Sequence, residues 1–189
     1  MSVSFHDDEP TVLDIDDVPI VVRRARVEDA ESFDAHVRRN AEDPEGFSPV
    51  APSEVRDLEQ HRALIEEWAA DPRVLMFVAA RGEEVVGELN LRLFSRHASA
   101  AHVRVLGIGL DRSVRRRGLG THMIERAVAW ARAHAVTRIE LQVFAHNAAA
   151  IALYAKMGFV VEGRRRDAFV LDGHARDDLL MALLLHPKG

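Results

Sequence analysis

This 189-residue chain lacks cysteine, long apolar runs and an excess of positive charge, and each absence excludes some classes of structure or function. It has no cysteine, which excludes disulfides, thiolate metal sites and a cysteine nucleophile and fits a reducing compartment. No apolar run approaches the roughly 18 residues that a membrane helix needs, and the N-terminus is acidic and polar rather than signal-like. The formal net charge of −5 argues against a general nucleic-acid binder. We therefore expect a cytoplasmic protein with neither a membrane nor a nucleic acid as partner.

Two further enzyme classes lack their motifs. None of the ten histidines lies in a His-x3-His or His-Glu-x-x-His spacing, so we expect no metal site. No Gly-x-Ser-x-Gly elbow is present, which argues against a serine hydrolase.

The N-terminal segment is acidic. Six acids and no lysine or arginine precede Arg23: Asp7, Asp8, Glu9, Asp14, Asp16 and Asp17. We interpret residues 1–18 as a solvated tail or irregular arm; the alternative is an arm that covers a basic surface of this subunit or a neighbouring one. Residues 19–189 have the length of one domain with its own core.

Hydrophobic periodicity predicts the order βααβββαβαββ. The predicted helices span residues 28–40, 53–70, 119–135 and 147–157, with Ser53 as the N-cap of the second. The predicted strands span residues 20–23, 74–80, 85–94, 102–110, 138–144, 159 to the turn at 172–173, and 179–185. This order predicts an α/β (α+β) fold, a mixed sheet with helices on its faces.

The segment from Arg115 to Gly120 joins a predicted strand to a predicted helix. The first-turn N–H groups of a helix have no intrahelical partner, and the helix dipole is positive there. Gly118 and Gly120 carry no side chain that would keep a phosphate from this backbone. The segment therefore predicts a diphosphate-binding cradle.

Two other phosphate motifs do not match. A Walker A loop needs a lysine before the Ser/Thr, and none precedes Thr121. A dinucleotide fingerprint would use Gly107 and Gly109, but these lie inside the predicted strand, and Arg112 occupies the third glycine position.

Two motifs together resemble the signatures of the GCN5-related N-acetyltransferase (GNAT) superfamily. The first is Arg115-x-x-Gly118-x-Gly120. The second is Asn147-x-x-Ala150-x-x-Leu153-Tyr154-x-x-x-Gly158-Phe159. Both occur in the family's order with a strand between them. The resemblance covers about residues 21–185 and is greatest to bacterial L-amino acid N-acetyltransferases.

The resemblance implies a single GNAT-type domain with a mostly antiparallel sheet and helices on both faces. It also implies acetyl transfer from acetyl-CoA to a primary amine, without a metal. The favoured acceptor is a free L-amino acid or a related small amine. The alternatives are a peptide or protein N-terminal acetyltransferase of the ribosomal-protein type, and a non-catalytic acyl-CoA-binding regulator. By analogy we expect a homodimer.

The resemblance also implies roles for particular residues. The N–H of Leu110 is the candidate oxyanion donor, Tyr154 the candidate acid that protonates the leaving thiolate, and Asn147 a pantetheine contact or a plain helix cap. The residues expected to contact the cofactor are Gly109, Leu110, Arg115, Arg116, Arg117, Gly118, Leu119, Gly120, Thr121, Asn147, Tyr154 and Lys156.

The general base is the open point. Some relatives have Glu at the position of Gln142, and others have Glu in the strand at 102–110, which here contains no carboxylate. The remaining candidates are Glu88, Glu140 and His102, each of which could also be an ordinary exposed strand residue. A site without an obvious base favours α-amines, because an amine with a pKa of about 7.8 is far more often neutral at pH 7 than a lysine amine of about 10.4.

Overall fold

The computed structural model describes residues 9–45, 47–171 and 173–185. The strands are β1 (Thr11–Ile15), β2 (Val18–Arg24), β3 (Leu75–Arg81), β4 (Glu84–Leu93), β5 (Val103–Leu110), β6 (Arg138–Phe144), β7 (Val160–Leu171) and β8 (His174–Leu184). The helices are α1 (Ala30–Ala41), α2 (Leu58–Ala70), α3 (Leu119–Ala133) and α4 (Ala148–Lys156). None of the helices described is long and apolar enough to cross a bilayer.

One eight-stranded sheet has the order β1-β2-β3-β4-β5-β6-β8-β7. The β5–β6 pair is parallel and every other neighbouring pair is antiparallel. A parallel pair needs a crossover connection, which α3 supplies. The predicted fold, a mixed and mostly antiparallel sheet with helices, is confirmed.

Alternation along β3 separates two apolar cores on the two faces of the sheet. Phe77 packs in the larger core, which contains buried residues of α3 and Tyr154 of α4. Met76, the preceding residue, packs in a smaller core with Phe33 of α1 and Ile65 of α2. Helices therefore cover both faces: α3 and α4 one, α1 and α2 the other.

The expectation of an irregular arm is wrong for residues 11–15, which form β1 and pair with β2. Leu13 and Ile15 turn inward while Val12 and Asp14 face outward, a short alternation that the high acid content obscured. Asp16 and Asp17 form the two-residue turn, both with positive φ (55° and 61°), as a tight hairpin turn requires. Residues 1–8 of the predicted arm lie outside the described residues, and the division of the chain at residue 18 stays a prediction.

Two predicted element ends differ from the structure. Helix α2 begins at Leu58 rather than near Ser53, because Asp57 caps it by accepting from the N–H of Gln60 at 2.9 Å. The last strand begins at His174 rather than Leu179, because cross-strand pairing with β7 continues almost to the turn.

Candidate active site

The centre of the sheet opens between β5 and β6. Their parallel pairing is limited to the register from Val103↔Arg138 to Val105↔Glu140. Strand β5 nevertheless stays paired with β4 as far as Leu110, which lies opposite Gly87. The C-terminal half of β5 therefore borders a gap on its β6 side.

The backbone of Leu110 faces this gap. The N–H of Asp111 donates to the carbonyl of Val86 at 2.8 Å, so Asp111 is directed toward β4. Because successive residues of a strand direct their backbone groups to opposite sides, the N–H and carbonyl of Leu110 point toward β6. The carbonyl accepts from Arg115 Nε at 2.9 Å. The N–H on the same side has the orientation expected of an oxyanion donor.

Gly109, by the same alternation, directs its backbone toward β4 rather than into the gap. Its predicted contact with the cofactor is therefore not supported by the backbone geometry. Gly109 matters instead because the absence of a side chain leaves space beside Glu88.

Helix α3 begins as the sequence predicts. Gly118 is the N-cap with φ 87°, and Arg116 two residues earlier also has a positive φ of 62°. The first intrahelical bond runs from the N–H of His122 to the carbonyl of Gly118. The N–H groups of Leu119, Gly120 and Thr121 precede that bond and form the positive end of the helix dipole.

Gly120 has a different role from the one expected. It is buried, and a Cβ there would lie 3.0 Å from Leu153 Cδ2 and 3.4 Å from Leu110 Cδ1. The missing side chain therefore lets α3 approach α4 and β5 closely. Only Gly118, around which there is open space, fits the idea of clearing the way for a ligand.

The three arginines of the cradle differ. Arg115 is bound within the fold: Nη1 lies 2.6 Å from Asp43 and 2.7 Å from Glu45, and Nη2 donates to Asn40 at 3.2 Å. Its predicted role as a diphosphate ligand is not supported, since it holds the α1–α2 loop against the end of β5. Arg117 pairs with Asp16 of the β1–β2 turn. Arg116 is exposed.

Tyr154 lies in α4 with its ring packed against Phe159, and only 6% of the residue is exposed. Among the described residues no hydrogen bond to its hydroxyl is found. Burial, and then the negative charge of Glu88, raise the pKa of this hydroxyl above its ordinary value. The hydroxyl is therefore protonated at neutral pH, as a donor to a sulfur must be.

Glu88 lies on β4 opposite Gly109, on the face that α1 covers. Burial raises the pKa of its carboxyl, while His36 and a hydrogen bond from Asn90 act against that rise. A Cβ at Gly109 would lie 3.1 Å from Glu88 Oε1, and one at Gly107 would lie 2.8 Å from Asn90 Nδ2. Gly107 and Gly109 do not form a nucleotide motif, but because they lack side chains they leave room for Glu88 and Asn90 to lie across β5 toward the gap.

The other two candidate bases lie at the wrong end of the sheet. Glu140 accepts from Arg138 Nε at 3.2 Å and pairs with Val105, where β5 and β6 are still joined. Leu110 lies five positions beyond Val105 along β5, a distance of about 16 Å. His102 is exposed just before β5. Neither is brought near Leu110 and Tyr154, so the geometry supports Glu88 alone of the three.

The two remaining predicted ligands lie at opposite ends of α4. Asn147 caps this helix, its Oδ1 accepting from the N–H of Ala150 at 3.0 Å, so the cap role is confirmed and a pantetheine contact stays a prediction. Lys156 is exposed in the last turn.

The sequence interpretation missed a buried pair beside Glu88. His36 of α1 contacts Asp111 at the end of β5, Nδ1 to Oδ1, at 2.7 Å. A signal existed: Ala30, Phe33 and His36 are spaced three residues apart on the buried stripe of α1. In the ranges that the structure describes, no group of three or more metal-ligating side chains occurs.

Comparison with known proteins places this geometry in a family. Residues 38–159 match the model of the acetyltransferase (GNAT) family. The chain is 33% identical over 168 residues to the L-amino acid N-acetyltransferase AaaT of Escherichia coli K12, which covers 86% of this chain and 96% of that enzyme. It is 34% identical over 105 residues to the [ribosomal protein bS18]-alanine N-acetyltransferase of Salmonella typhimurium, across 50% of this chain and 70% of that one.

A solved structure shares the fold. The acetyltransferase of GNAT family from Streptococcus pneumoniae superposes with a TM-score of 0.81 at 25% identity, covering 87% of this chain and 99% of that one. With the helix-start cradle, the β5–β6 gap and Tyr154 in place, the chain belongs to the GNAT family of acetyltransferases.

Proposed function

We propose that this protein transfers an acetyl group from acetyl-CoA to the α-amine of a free L-amino acid. The observation that carries the proposal is the gap between β5 and β6, which joins the α3 cradle on one face of the sheet to Glu88 on the other. A thioester arm and an amine can therefore meet from opposite faces at Leu110.

The donor would bind through backbone groups. The first-turn N–H groups of α3, with the guanidinium groups of Arg116 and Arg117, suit the diphosphate. The pantetheine arm would then pass along the free side of β5, where Leu110 offers its N–H to the thioester oxygen.

The amine attacks the thioester carbon while Glu88 accepts the amine proton. A carboxyl with a raised pKa is a better base than an ordinary one at neutral pH. The C–S bond then breaks, and the thiolate takes a hydrogen bond and then a proton from Tyr154, which regains a proton from water before the next turnover.

The charge of Glu88 affects the acidity of Tyr154, and this effect favours proton uptake by Glu88 before proton donation by Tyr154. A phenol of raised pKa is a poor acid toward a thiolate, whose conjugate acid has a pKa near 8.5. The charge of Glu88 is one cause of that raised pKa. Once Glu88 takes the amine proton its charge is gone, so Tyr154 becomes a better donor when the thiolate forms.

A cation on the acceptor face supports an amino acid as the acceptor. Arg165 of β7 is 44% exposed, and its Nη2 donates to Gln142 of β6 at 2.8 Å. The buried carboxylate of Asp178 accepts from Arg165 Nε at 2.9 Å and from Nη2 as well. Held from two sides, the guanidinium still presents Nη1, for which no hydrogen bond is found among the described residues, and this nitrogen is suited to the carboxylate that a free amino acid has and an internal peptide residue lacks.

The similarity to the ribosomal-protein alanine acetyltransferase makes a protein N-terminus the second candidate acceptor. We also propose, from the family alone, a cytoplasmic homodimer.

An acceptor panel with release of free CoA thiol as the readout tests the proposal. It would contain L-amino acids, their amides, polyamines, aminoglycosides and short peptides. We expect the highest kcat/KM with free amino acids. Activity with polyamines alone would contradict the proposed acceptor, and CoA binding without turnover on any amine would favour a regulatory protein.

A further inference from the structure

A buried polar cluster lies behind Glu88 on the α1 side. His36 is 1% exposed, and its Nδ1 contacts Asp111 at 2.7 Å. Asp111 also accepts from Arg39 Nε at 2.9 Å and from Asn40 Nδ2 at 3.2 Å. Three side chains of one helix thus converge on one carboxylate at the end of β5.

These contacts fix the tautomer of His36. Burial acts to raise the pKa of Asp111, but the hydrogen bonds from His36 and Arg39 outweigh it and lower that pKa. An ionised carboxylate only accepts hydrogen bonds, so Nδ1 of His36 must carry the proton. In the neutral ring Nε2 then has a lone pair that can accept a proton, with Asn40 Nδ2 3.4 Å away.

Nε2 faces Glu88. A Cβ built on Gly109 would lie 3.6 Å from His36 Nε2 and 3.1 Å from Glu88 Oε1. Both atoms therefore border the same small space above the bare α-carbon of Gly109. Within the part of the chain that the structure describes, no hydrogen bond or ion pair joins the two side chains directly, so a proton passes between them through a bridging water.

The chemistry requires a second proton acceptor. An alkylammonium loses two protons on its way to an amide, and the released thiol keeps only one of them. The other proton has to leave the site, and Glu88 must return to the carboxylate before the next turnover.

We propose that His36, held by Asp111, is a positioning residue that takes the amine proton from Glu88. The inference rests on the proposed function of Glu88 as the base. The acceptor N–H bond breaks as the Glu88 O–H bond forms; that proton then passes through a bridging water to His36 Nε2, while Nδ1–H stays hydrogen-bonded to Asp111. The resulting imidazolium is paired with the carboxylate of Asp111 and releases its proton to water when the product leaves.

Other charged groups surround this relay and contribute to its pH dependence. They are Arg39 of α1, Glu84 of β4, which lies 3.7 Å from Arg39, Arg115, which reaches Asn40, and Tyr154 of α4, whose pKa responds to Glu88.

The chain contains a matched control. His61 of α2 is 3% exposed, and its Nδ1 contacts Asp34 of α1 at 2.9 Å. This second buried His–Asp pair lies on the same side of the sheet, but its ring packs against Phe33 rather than Glu88.

The experiment compares wild type, His36→Asn, Glu88→Gln and His61→Asn. Asparagine retains a donor near the position of Nδ1 and so preserves the bond to Asp111, but it lacks Nε2. We expect His36→Asn to lower kcat by about tenfold or more at pH 7, to change the pH profile of kcat, and to leave the KM for acetyl-CoA unchanged. His61→Asn should lose thermal stability to a similar degree and keep wild-type kcat.

The outcomes separate the two proposals. If Glu88→Gln is as active as wild type, the proposed base fails and the relay with it. If Glu88→Gln loses activity while His36→Asn keeps the wild-type kcat and pH profile, the relay alone is wrong.

A measurement on Tyr154→Phe covers the case in which His36→Asn does not fold, because this variant has lost the separate proton transfer to the thiolate. In mixtures of light and heavy water, the two transfers from the amine to Glu88 and from Glu88 to His36 still give a curved dependence of kcat/KM on the deuterium fraction. A straight line, indicating one proton, would overturn the relay.

Discussion

The carboxylate of Asp16 pairs with the guanidinium of Arg117, which joins the acidic β1–β2 turn to the start of α3. The N-terminal segment thus contacts a basic group of its own subunit, as the alternative interpretation of the sequence supposed. Because the pair lies beside the proposed diphosphate cradle, we expect Asp16 and the diphosphate to compete for one cation.

Replacing Asp16 by Asn should therefore tighten CoA binding. An exposed ion pair contributes up to about 1 kcal/mol, so the expected gain in affinity is at most about fivefold. Titration calorimetry with CoA measures it, and Asp17→Asn in the same turn is the control. An equal gain in both variants would indicate a general charge effect rather than competition at Arg117.

Replacing Tyr154 by Phe should lower kcat on the order of 10²-fold, since the hydroxyl donates to the thiolate in the proposed mechanism. The ring packing against Phe159 remains, so CoA affinity should stay within about twofold by calorimetry. A variant with unchanged kcat would remove Tyr154 from the mechanism.

Glu88→Gln should stabilise the protein at pH 7 while it lowers activity. The folded-state pKa of Glu88 is raised, so its contribution to stability is present below the unfolded pKa near 4.3 and is lost as pH rises through the folded value. Glutamine carries no charge and avoids that loss. Each 1 kcal/mol gained corresponds to roughly 2–4 °C in Tm for a chain of this size.

A comparison of the two proteins at pH 4 tests whether the stabilisation by Glu88→Gln comes from the lost charge. There the wild-type carboxyl is largely protonated, and the advantage of Glu88→Gln should vanish. An equal gain at both pH values would mean that the ionisation of Glu88 is not its cause.

Gly120→Ala should destabilise the fold by about 1–3 kcal/mol, because its Cβ would meet Leu153 Cδ2 at 3.0 Å in a packed interior. Gly118→Ala meets open space and should cost about 1 kcal/mol, from its left-handed backbone alone. Urea denaturation compares the two. Equal costs would contradict the packing role of Gly120.

Arg165→Gln should raise the KM for a free amino acid by about tenfold, the value of one charge-assisted hydrogen bond of roughly 1.5 kcal/mol. The KM for the corresponding amino acid amide should not change, since the amide has no carboxylate. An equal increase in KM for the amino acid and its amide would show that Arg165 does not bind the carboxylate.

Features that depend only on residues close together in the sequence, such as helix starts and caps, could be predicted. The start of α3 at Gly118 and the cap at Asn147 were predictable because a cap and its helix are local. The family followed from these two motifs together.

The other features depend on contacts between distant residues. Arg115 looked like a ligand of the cofactor, but Asp43 and Glu45, some seventy positions earlier, bind it. The proposed role of His36 depends on the packing of α1, which brings its ring to Asp111, and could not be predicted from the sequence near residue 36. The register of β4 against β5, which pairs Glu88 with Gly109, distinguished Glu88 from Glu140 and cannot be read from either strand alone.

The opening between β5 and β6 has an evolutionary consequence. Because the cradle lies on the α3 face and Glu88 on the α1 face, mutations that reshape the acceptor pocket need not touch the groups that hold the donor. Such a division lets a lineage exchange one amine for another while the nucleotide thioester stays the same.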